Sequence, residues 1–377
     1  MVIRSVTIDH VRSHVHSRID CSPDLTVLVG PNGSGKTSVL ESISLCSMGR
    51  TFVPVSDVSL VQHGADHCHV HVEALSDNGV PYAVDVEVRH GQRKRMWTNQ
   101  EQNVTARDLI GRMPVVALSP DLKSITFGGP AERRSFFDAM MAQSSRSATH
   151  LLYEHRRVLK QRNSLLQSDH PDLAGLQVWT ERYIDLSADL VERRRDFIAG
   201  FLPIAIDEYA VVSGGKEFIN IIYQPDHVDL AIGDVRGQLT RTAERLAGVE
   251  RIRRTTLFGP QKDDVLLYIN GGLVRETASQ GQHKSFLVAL KLAECRILHE
   301  LCRERPIVLL DDVFSELDAA RTALVLKRIE ELGMQCFVTE TGGRRTEDAE
   351  DAEGAEDAEG AEDGGRRMVR IEGGKVL

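Results

Sequence analysis

Apolar and polar residues alternate along the first third of the chain with the two-residue period of β-strands. The alternation predicts strands at 2–8 and 25–29, and a strand-rich stretch between about 53 and 118 that is divided by Asp-Asn-Gly and His-Gly turn signals. The second strand runs directly into a glycine-rich segment at 30–37. Residues 38–48 predict the helix that this segment opens.

Between about residues 131 and 255 the hydrophobic period is different, because apolar residues recur there at steps of three and four. This period predicts a mainly helical region. Strand character then returns in four short segments, at 264–269, 306–310, 336–339 and 366–371. The order predicts an α/β head built from both ends of the chain, residues 1–130 and 256–377, with an inserted mainly helical lobe at 131–255.

The composition indicates an ordinary globular protein. A chain of 377 residues has room for two or three structural units. Its hydrophobic content of 41% and charged content of 27% are typical of soluble proteins. No apolar run approaches the roughly 20 residues that cross a bilayer, and the first residues lack the apolar core of a signal peptide. We therefore expect a cytoplasmic protein without a membrane partner.

The six cysteines are scattered and form no Cys-x-x-Cys pair. This spacing favours reduced structural cysteines over disulfides or a zinc site. The segment from His67 to His71, with sequence HCHVH, is rich in side chains that bind metals. Its alternation also fits a strand with histidines along one face, and that interpretation is favoured over a metal site.

The net charge of −9 comes from one segment. Residues 346–364 repeat the pattern AEDAEG and contain ten acidic residues, no basic residue and no apolar residue larger than alanine. Without these ten, the chain has 46 basic and 45 acidic residues. We expect the segment to be a disordered acidic insert, because it cannot bury enough surface to offset ordering. The net negative charge of the chain therefore does not exclude a polyanionic partner.

The segment GPNGSGKT matches the phosphate-loop pattern G-x-x-x-x-G-K-[ST], with a predicted strand before it and a predicted helix after it. Gly30, Gly33 and Gly35 permit backbone angles that aim N–H groups at phosphates. Lys36 supplies a positive charge to the terminal phosphates, Thr37 offers its hydroxyl to Mg²⁺, and the helix N-terminus adds a favourable dipole. Because the segments on both sides fit the phosphate-loop pattern, a chance glycine-rich turn is disfavoured. The predicted ATP-binding residues are Gly30, Pro31, Asn32, Gly33, Ser34, Gly35, Lys36, Thr37 and Ser38.

The apolar segment 307–310 ends in two aspartates. Asp311 is predicted to hold Mg²⁺ together with Thr37. Asp312 is predicted to orient or deprotonate the attacking water, so that Lys36, Asp311 and Asp312 are the candidate catalytic residues. Many ABC-type ATPases have glutamate at the second position. Because aspartate is shorter, we expect slow hydrolysis. The alternative is a buried strand that ends in a solvated acidic turn.

The turn Ser279, Gln280, Gly281 and Gln282 resembles the LSGGQ signature of ABC ATPases. A serine, a close-packing glycine and a helix N-terminus together suit a γ-phosphate, and such a turn acts in trans on nucleotide held by a second copy. Taken alone, the turn is better explained as a helix N-cap at Ser279. Its position 32 residues before Asp311 favours the signature. The polar turn after the aspartates is then the D-loop that crosses the dimer interface, formed by Ser315, Glu316, Leu317 and Asp318.

Beyond these motifs, the chain resembles the RecF family of bacterial recombination mediators almost from end to end. Only 241 residues separate the loop helix from the signature, too few for the long coiled-coil arms of SMC proteins. Two of the matching stretches, GGPAERR–FFD within 119–140 and GPQKDD within 259–271, are not general features of ABC ATPases. The full set is GPNGSGKTSVLESI, GRTF, SPDLKSITFGGPAERRSFFDAM, LKQRNSLL, GPQKDDVLLYING, SQGQHKSFLVALKLAE and LLDDVFSELD.

The resemblance implies a homodimer that forms on ATP binding, binding of double-stranded DNA near single-strand gaps, and slow hydrolysis that resets the dimer. It also implies that RecO- and RecR-type proteins are partners in loading recombinase. Arg133 and Arg134 lie in a matching segment and are candidate DNA contacts. Basic helix faces at residues 156–162 and 193–195 are further candidates, with a solvated helix face as the alternative. Such contacts would be independent of base sequence and sensitive to salt.

The chain departs from the family pattern in several places. The family's F-R-N-Y segment reads Val11-Arg12-Ser13-His14, and Glu340 separates the usually paired Thr339 and Thr341. The switch histidine of transporter subunits is missing, and the AEDAEG repeat is not a family feature. Two alternatives remain open from the motifs: the ATPase subunit of a membrane transporter, and a nuclease-associated or defence ATPase with its own insert.

Overall fold

The computed structural model describes residues 1–53, 55–119, 124–169, 172–312, 319–341 and 365–377. The predicted acidic insert at 346–364 lies outside these residues. The strands, in chain order, are β1 (Val2–Val11), β2 (His14–Asp20), β3 (Leu25–Val29), β4 (His67–Leu75), β5 (Pro81–Arg89), β6 (Arg95–Thr98), β7 (Val115–Leu118), β8 (Ile219–Gln224), β9 (Asp264–Ile269), β10 (Gly272–Leu273), β11 (Ile307–Leu310), β12 (Cys336–Glu340), β13 (Arg366–Glu372) and β14 (Lys375–Val376).

The helices range from single turns to a helix of 41 residues that contains Pro203. In chain order they are α1 (Lys36–Met48), α2 (Ala106–Leu109), α3 (Ser124–Phe127), α4 (Pro130–Ser144), α5 (Arg146–Gln167), α6 (Leu173–Ser213), α7 (Val235–Arg253), α8 (Val274–Thr277), α9 (Gln280–Cys302) and α10 (Ala319–Glu331). Among the described residues no helix combines the length and the apolar character needed to cross a membrane.

The chain folds into two compact units. Residues 1–122 and 294–377 form one, and residues 123–293 form the other. Both chain ends thus belong to one unit, and the internal segment of the sequence forms the other. The sequence predicted an inserted lobe at residues 131–255. These bounds differ from the division into two compact units, and they remain a prediction. The difference has a local cause, since β9 and β10 pair with β8 in one three-stranded sheet, which places residues 264–273 in the internal unit.

The first unit contains two sheets. The antiparallel sheet has the order β2-β1-β4-β5-β6, and the second sheet has the order β14-β13-β3-β12-β11-β7, in which all strands except the edge strand β14 run parallel. A single hydrophobic core includes residues of both sheets and of α1, among them Val6, Val70, Leu40 and Ile43. Helix α1 is therefore buried on nearly all sides, which fixes the position of the loop before it.

Strand β4 alternates as its sequence predicts. Cys68 is buried, whereas His67, His69 and His71 are half-buried along the opposite face. His69 and His71 both contact the carboxylate of Asp85 on β5, at 3.0 and 2.9 Å. Within the described parts of the chain no group of these side chains could hold a metal ion. The six cysteines all lie in the described residues and form no disulfide with one another.

The internal unit packs the helices α4 to α7 with the sheet β10-β9-β8. Buried arginines of this unit form ion pairs, among them Arg162 and Arg194. Arg162 on α5 contacts Glu250 on α7 at 2.6 Å, and Arg194 on α6 contacts Asp138 and Asp263 at 2.9 and 2.8 Å. Each guanidinium thus ties together segments that are distant in the sequence.

Candidate functional site

The glycine-rich loop joins the end of β3 to the start of α1, as the motif predicts. Gly35 is the N-cap of α1 and has a φ of 111°, in the left-handed region that glycine adopts without strain. Gly30 has no space for a side chain, because a Cβ there would lie 2.0 Å from the carbonyl oxygen of Ile371. The local sequence therefore fixes the strand–loop–helix turn, and its glycines are required by close approach and by backbone angle.

This loop borders a cavity of about 490 Å³ in the unit built from both chain ends. The volume is within the range of small-molecule sites, about 300–1,000 Å³. Strands β3, β11 and β12 are parallel neighbours, so their carboxyl ends open at the same edge of the sheet, where α/β proteins bind ligands. The cavity is lined by residues 32–38, Asp311, Asp312, residues 339–341, Arg12 and Ser13.

Lys36 lies folded into the loop. Its ammonium donates to the carbonyls of Gly30 and Pro31 at 2.7 and 2.9 Å, and the residue is 8% exposed. Burial lowers the pKa of Lys36, and the neighbouring carboxylates of Asp311 and Asp312 partly offset this effect. A positive charge therefore lies inside the loop, beside the backbone N–H groups that a phosphate would contact.

Asp311 is held by two hydroxyl groups. Thr37 and Thr339 both donate to its Oδ1, at 2.9 and 3.0 Å. Burial raises the pKa of Asp311, these hydrogen bonds lower it, and the charge of Asp312 raises it again. A threonine hydroxyl and a carboxylate at this distance are the hard oxygen ligands that Mg²⁺ prefers, so the two side chains fit the predicted metal.

A buried hydroxyl without a partner also points to a ligand in the loop. Ser34 is 3% exposed, and its Oγ has no hydrogen-bond partner among the described residues. A phosphate oxygen would satisfy this donor. The loop therefore fits a nucleotide by its glycine backbone, its lysine and its unpaired serine.

Asp312 differs from Asp311 in exposure and backbone geometry. It lies at the cavity, is exposed, and has a φ of 49°. Its backbone N–H donates to Thr339 Oγ1 at 2.9 Å. The same hydroxyl thus donates to one aspartate and accepts from the next, and it sets the geometry of both.

Sequence reasoning did not assign site roles to Thr339 and Arg12. Arg12 lines the cavity and contacts the carboxylate of Glu41 on α1 at 2.7 Å. Glu41 is fully buried; burial raises its pKa and Arg12 lowers it. The available signals were the arginine retained from the F-R-N-Y segment and the threonines on either side of Glu340.

The predicted signature turn caps helix α9. The backbone N–H of Ser279 donates to Gln282 Oε1 at 2.7 Å, and the N–H of Gln282 donates to Ser279 Oγ at 3.2 Å. Gln282 also donates to Glu217 at 2.7 Å. The turn, including Gln280 and Gly281, belongs to the internal unit, whereas the phosphate loop belongs to the other. The predicted D-loop, Ser315 to Asp318, lies outside the described residues.

Both arginines that were predicted to contact DNA already have hydrogen-bond partners within the protein. Arg133 is 3% exposed, binds both carboxylate oxygens of Asp264 at 2.8 and 2.9 Å, and also donates to the carbonyl of Gly128. Arg134 is half-buried and donates to the carbonyl of Asp263. These contacts favour a structural role for Arg133. The exposed basic residues of the faces considered above are Arg156, Arg157, Lys160, Arg193 and Arg195.

Comparison with known proteins extends these observations. Residues 2–362 match the family model described as RecF/RecN/SMC N terminal domain. The DNA replication and repair proteins RecF of Prosthecochloris aestuarii and Heliobacterium modesticaldum are each 34% identical to the chain; both alignments cover 90% of this chain, and 94% and 92% of the relative.

Two solved structures place the fold. One of the recombination mediator RecF with ATP, from the RecFOR pathway, superposes with a TM-score of 0.87 at 25% identity and covers all of this chain and 97% of that one. An Smc head bound to a domain of ScpA has a TM-score of 0.55 at 15% identity, covers 91% of this chain and 90% of that one, and shares the fold. The predicted fold class, an ABC-type α/β ATPase head built from both chain ends with an inserted helical lobe, is confirmed.

Proposed function

Because this chain belongs to the RecF family, we propose that it is an ATP-dependent DNA-binding protein of recombinational repair and replication. It dimerises on ATP, binds double-stranded DNA near single-strand gaps, and helps to load recombinase. The observation that carries the proposal is the convergence of Lys36, Thr37, Asp311 and Asp312 at one cavity. A site that holds a nucleotide by fixed backbone and side-chain groups can act as a switch between two states.

The motif residues of the cavity have defined roles in this proposal. The loop residues Gly30 to Ser38 wrap the phosphates with backbone N–H groups, and Lys36 places its charge on the terminal phosphates. Thr37 and Asp311 hold Mg²⁺, which neutralises charge on the phosphates when it is bound. Asp312 orients or deprotonates the attacking water. Because its carboxylate is short, hydrolysis is slow and serves to reset the dimer.

The signature turn completes the site of a second copy. Ser279 stands at the start of a helix of 23 residues, whose N-terminus favours an anion. Gln280, Gly281 and Gln282 follow it, and Glu217 holds Gln282 in place. In the dimer this turn contacts the γ-phosphate held by the partner's loop, and the D-loop of residues 315–318 crosses the interface. ATP binding thereby drives dimer formation.

DNA contacts are sequence-independent and come from basic side chains at the surface. Lys160, Arg156 and Arg193 are exposed, in contrast to Arg133, so they supply more of the charge that meets the DNA backbone. Arg134 is a weaker candidate for DNA contact because it already donates a hydrogen bond to the carbonyl of Asp263. RecO- and RecR-type proteins are the proposed protein partners, gapped duplexes are the proposed DNA, and the cytoplasm is the proposed location.

The proposal is tested by gel shifts on duplex and gapped DNA, with and without ATP and over a salt series. Tighter binding with ATP and a steep loss of affinity with salt are expected. Light scattering on the same samples should show a dimer only with ATP. Lys36→Arg should abolish both effects, whereas Lys216→Arg, at an exposed lysine, should leave them unchanged. Absence of DNA binding under all conditions would refute the proposed function.

A further inference from the structure

The imidazole ring of His14 lies against the back of the phosphate loop. His14 is the first residue of β2 and is fully buried. Its Nε2 lies 3.1 Å from the carbonyl oxygen of Gly35. A Cβ added to Gly35 would lie 2.4 Å from the same nitrogen, so the ring and the loop are in direct contact. The family segment F-R-N-Y has its tyrosine at this position, so the contact belongs to a residue in which this chain departs from the pattern.

The other ring nitrogen connects the loop to the C-terminal hairpin. His14 Nδ1 lies 2.9 Å from Ser17 Oγ, and Ser17 Oγ lies 3.2 Å from the carbonyl oxygen of Gly374, between β13 and β14. The N–H of Gly374 in turn donates to the carbonyl of Ser34 in the loop, at 2.9 Å. These contacts therefore start and end in the phosphate loop and pass through the hairpin turn.

The partners determine where the protons are. A carbonyl oxygen only accepts, so Nε2 carries the hydrogen and donates it to Gly35. Burial lowers the pKa of His14, and its backbone contacts with Gly35 and Gly374 offset part of this effect, so the ring is neutral near pH 7. Nδ1 is then an acceptor, and the single hydroxyl hydrogen of Ser17 is donated either to Nδ1 or to the Gly374 carbonyl.

Fixing the Gly35 carbonyl also fixes the next N–H group. The carbonyl of Gly35 and the N–H of Lys36 belong to one peptide unit, and all described peptide bonds are trans, so the two groups point in opposite directions. The carbonyl accepts from His14 and from the first helical N–H groups, those of Ser38 and Val39, at 3.0 and 3.3 Å. The N–H of Lys36 is therefore aimed away from α1, at the start of the helix where phosphate binds.

We propose that His14 is a positioning residue for nucleotide binding, which orients the Gly35–Lys36 peptide through its Nε2–H and is itself held by Ser17 beside the C-terminal hairpin. This inference rests on the proposed function, since the cavity has to bind a nucleotide. It predicts that the hydrogen bond, rather than the ring shape alone, supports affinity. A ring without a donor should then weaken binding, and a donor without a ring should restore it.

The test compares His14→Phe with His14→Gln in the full chain. Phenylalanine keeps a ring and removes the donor, whereas glutamine places an N–H donor near the position of Nε2. The dissociation constant of a fluorescent ATP analogue is measured by titration, and the melting temperature without nucleotide reports folding. We expect about fivefold weaker binding for His14→Phe, the loss of one neutral hydrogen bond, and recovery to within about twofold for His14→Gln.

Two further variants make the result decisive. His16→Phe is the matched control, because its ring lies two residues away in the same strand and is 69% exposed; it should bind like the wild type. Ser17→Ala removes the hydroxyl that lies against His14 Nδ1 and the Gly374 carbonyl, with a small change in volume, and should weaken binding about twofold to fivefold. Wild-type affinity in both His14→Phe and Ser17→Ala overturns the inference. Equal weakness of His14→Phe and His14→Gln at unchanged melting temperature overturns it as well. A wild-type protein that binds no ATP analogue refutes the proposed function itself.

Discussion

Replacement of Thr339 by valine should disturb both aspartates of the site while keeping the shape of the side chain. Thr339 is 4% exposed, and its hydroxyl donates to Asp311 at 3.0 Å and accepts from the N–H of Asp312 at 2.9 Å. A hydrogen bond to a charged group contributes about 1.5–3 kcal/mol and a neutral one about 1 kcal/mol. The variant should therefore lose about 3 kcal/mol of unfolding free energy.

The functional effect follows from the position of Asp311. Without the hydroxyl of Thr339, its Oδ1 keeps only the contact with Thr37 from this pair of donors. Loss of a group that orients a metal ligand typically lowers metal affinity by about 10- to 100-fold. The Mg²⁺ concentration for half-maximal ATP binding should rise accordingly, by at least about tenfold. Thermal unfolding without nucleotide, together with ATP titrations at a series of Mg²⁺ concentrations, measures both effects.

Two controls separate the hydroxyl from general disturbance. Thr339→Ser keeps the hydroxyl and should retain most of the stability and the Mg²⁺ response. Thr341→Val changes an exposed threonine at the same cavity and should be neutral. If Thr339→Val unfolds at the wild-type temperature and responds to Mg²⁺ like the wild type, the bridging role of this hydroxyl is refuted.

Three more outcomes are expected. Asp312→Asn should slow ATP hydrolysis about 100-fold or more in a phosphate-release assay and leave ATP binding intact; an unchanged rate would remove its assigned role. His155 is buried and its pKa is lowered from 6.5 to about 3, mainly by burial, so its stabilising contribution is complete above pH 6.5 and is lost as the pH falls toward 3. Acidification from pH 7.5 to 4.5 should cost the wild type about 2.5 kcal/mol more than His155→Leu in urea unfolding, and parallel pH curves would contradict this. Arg133→Gln should lower the free energy of unfolding by about 3 kcal/mol because Asp264 loses its partner. Arg157→Gln should leave stability unchanged and reduce the salt dependence of DNA binding. The reverse pattern would support a DNA contact at Arg133.

Local patterns in the sequence predicted the parts of the site that depend on neighbouring residues. The phosphate loop needs glycines at positions with left-handed angles and a strand and helix on its flanks, and all of these lie within about 25 consecutive residues. Strand β11 is apolar throughout because it is buried between two parallel neighbours, and it ends at the aspartates as predicted. The histidines of β4 share one face because of the two-residue period of a strand.

Contacts between distant segments could not be predicted in this way. Asp264 is the partner of Arg133 although 131 residues separate them, and a basic motif gives no sign of whether its charge is used inside the protein or at the surface. The strand β8 interrupts a region with helical periodicity, and its pairing with β9 assigns residues 264–269 to the internal unit. Pairing depends on which strand edge is available after folding, so the sequence of either strand alone does not specify it.

The sequence by itself determined that the chain is an α/β ATPase head of the RecF family with a phosphate loop at 30–37, because each motif encodes its own backbone conformation and chemistry. Only the tertiary structure decided how the loop is supported. The ring of His14, the turn at Gly374 and the hydroxyl of Thr339 reach the site from three other segments, one of them more than 330 residues from the loop. Their roles arise from distance and hydrogen-bond geometry after folding, which no local pattern carries.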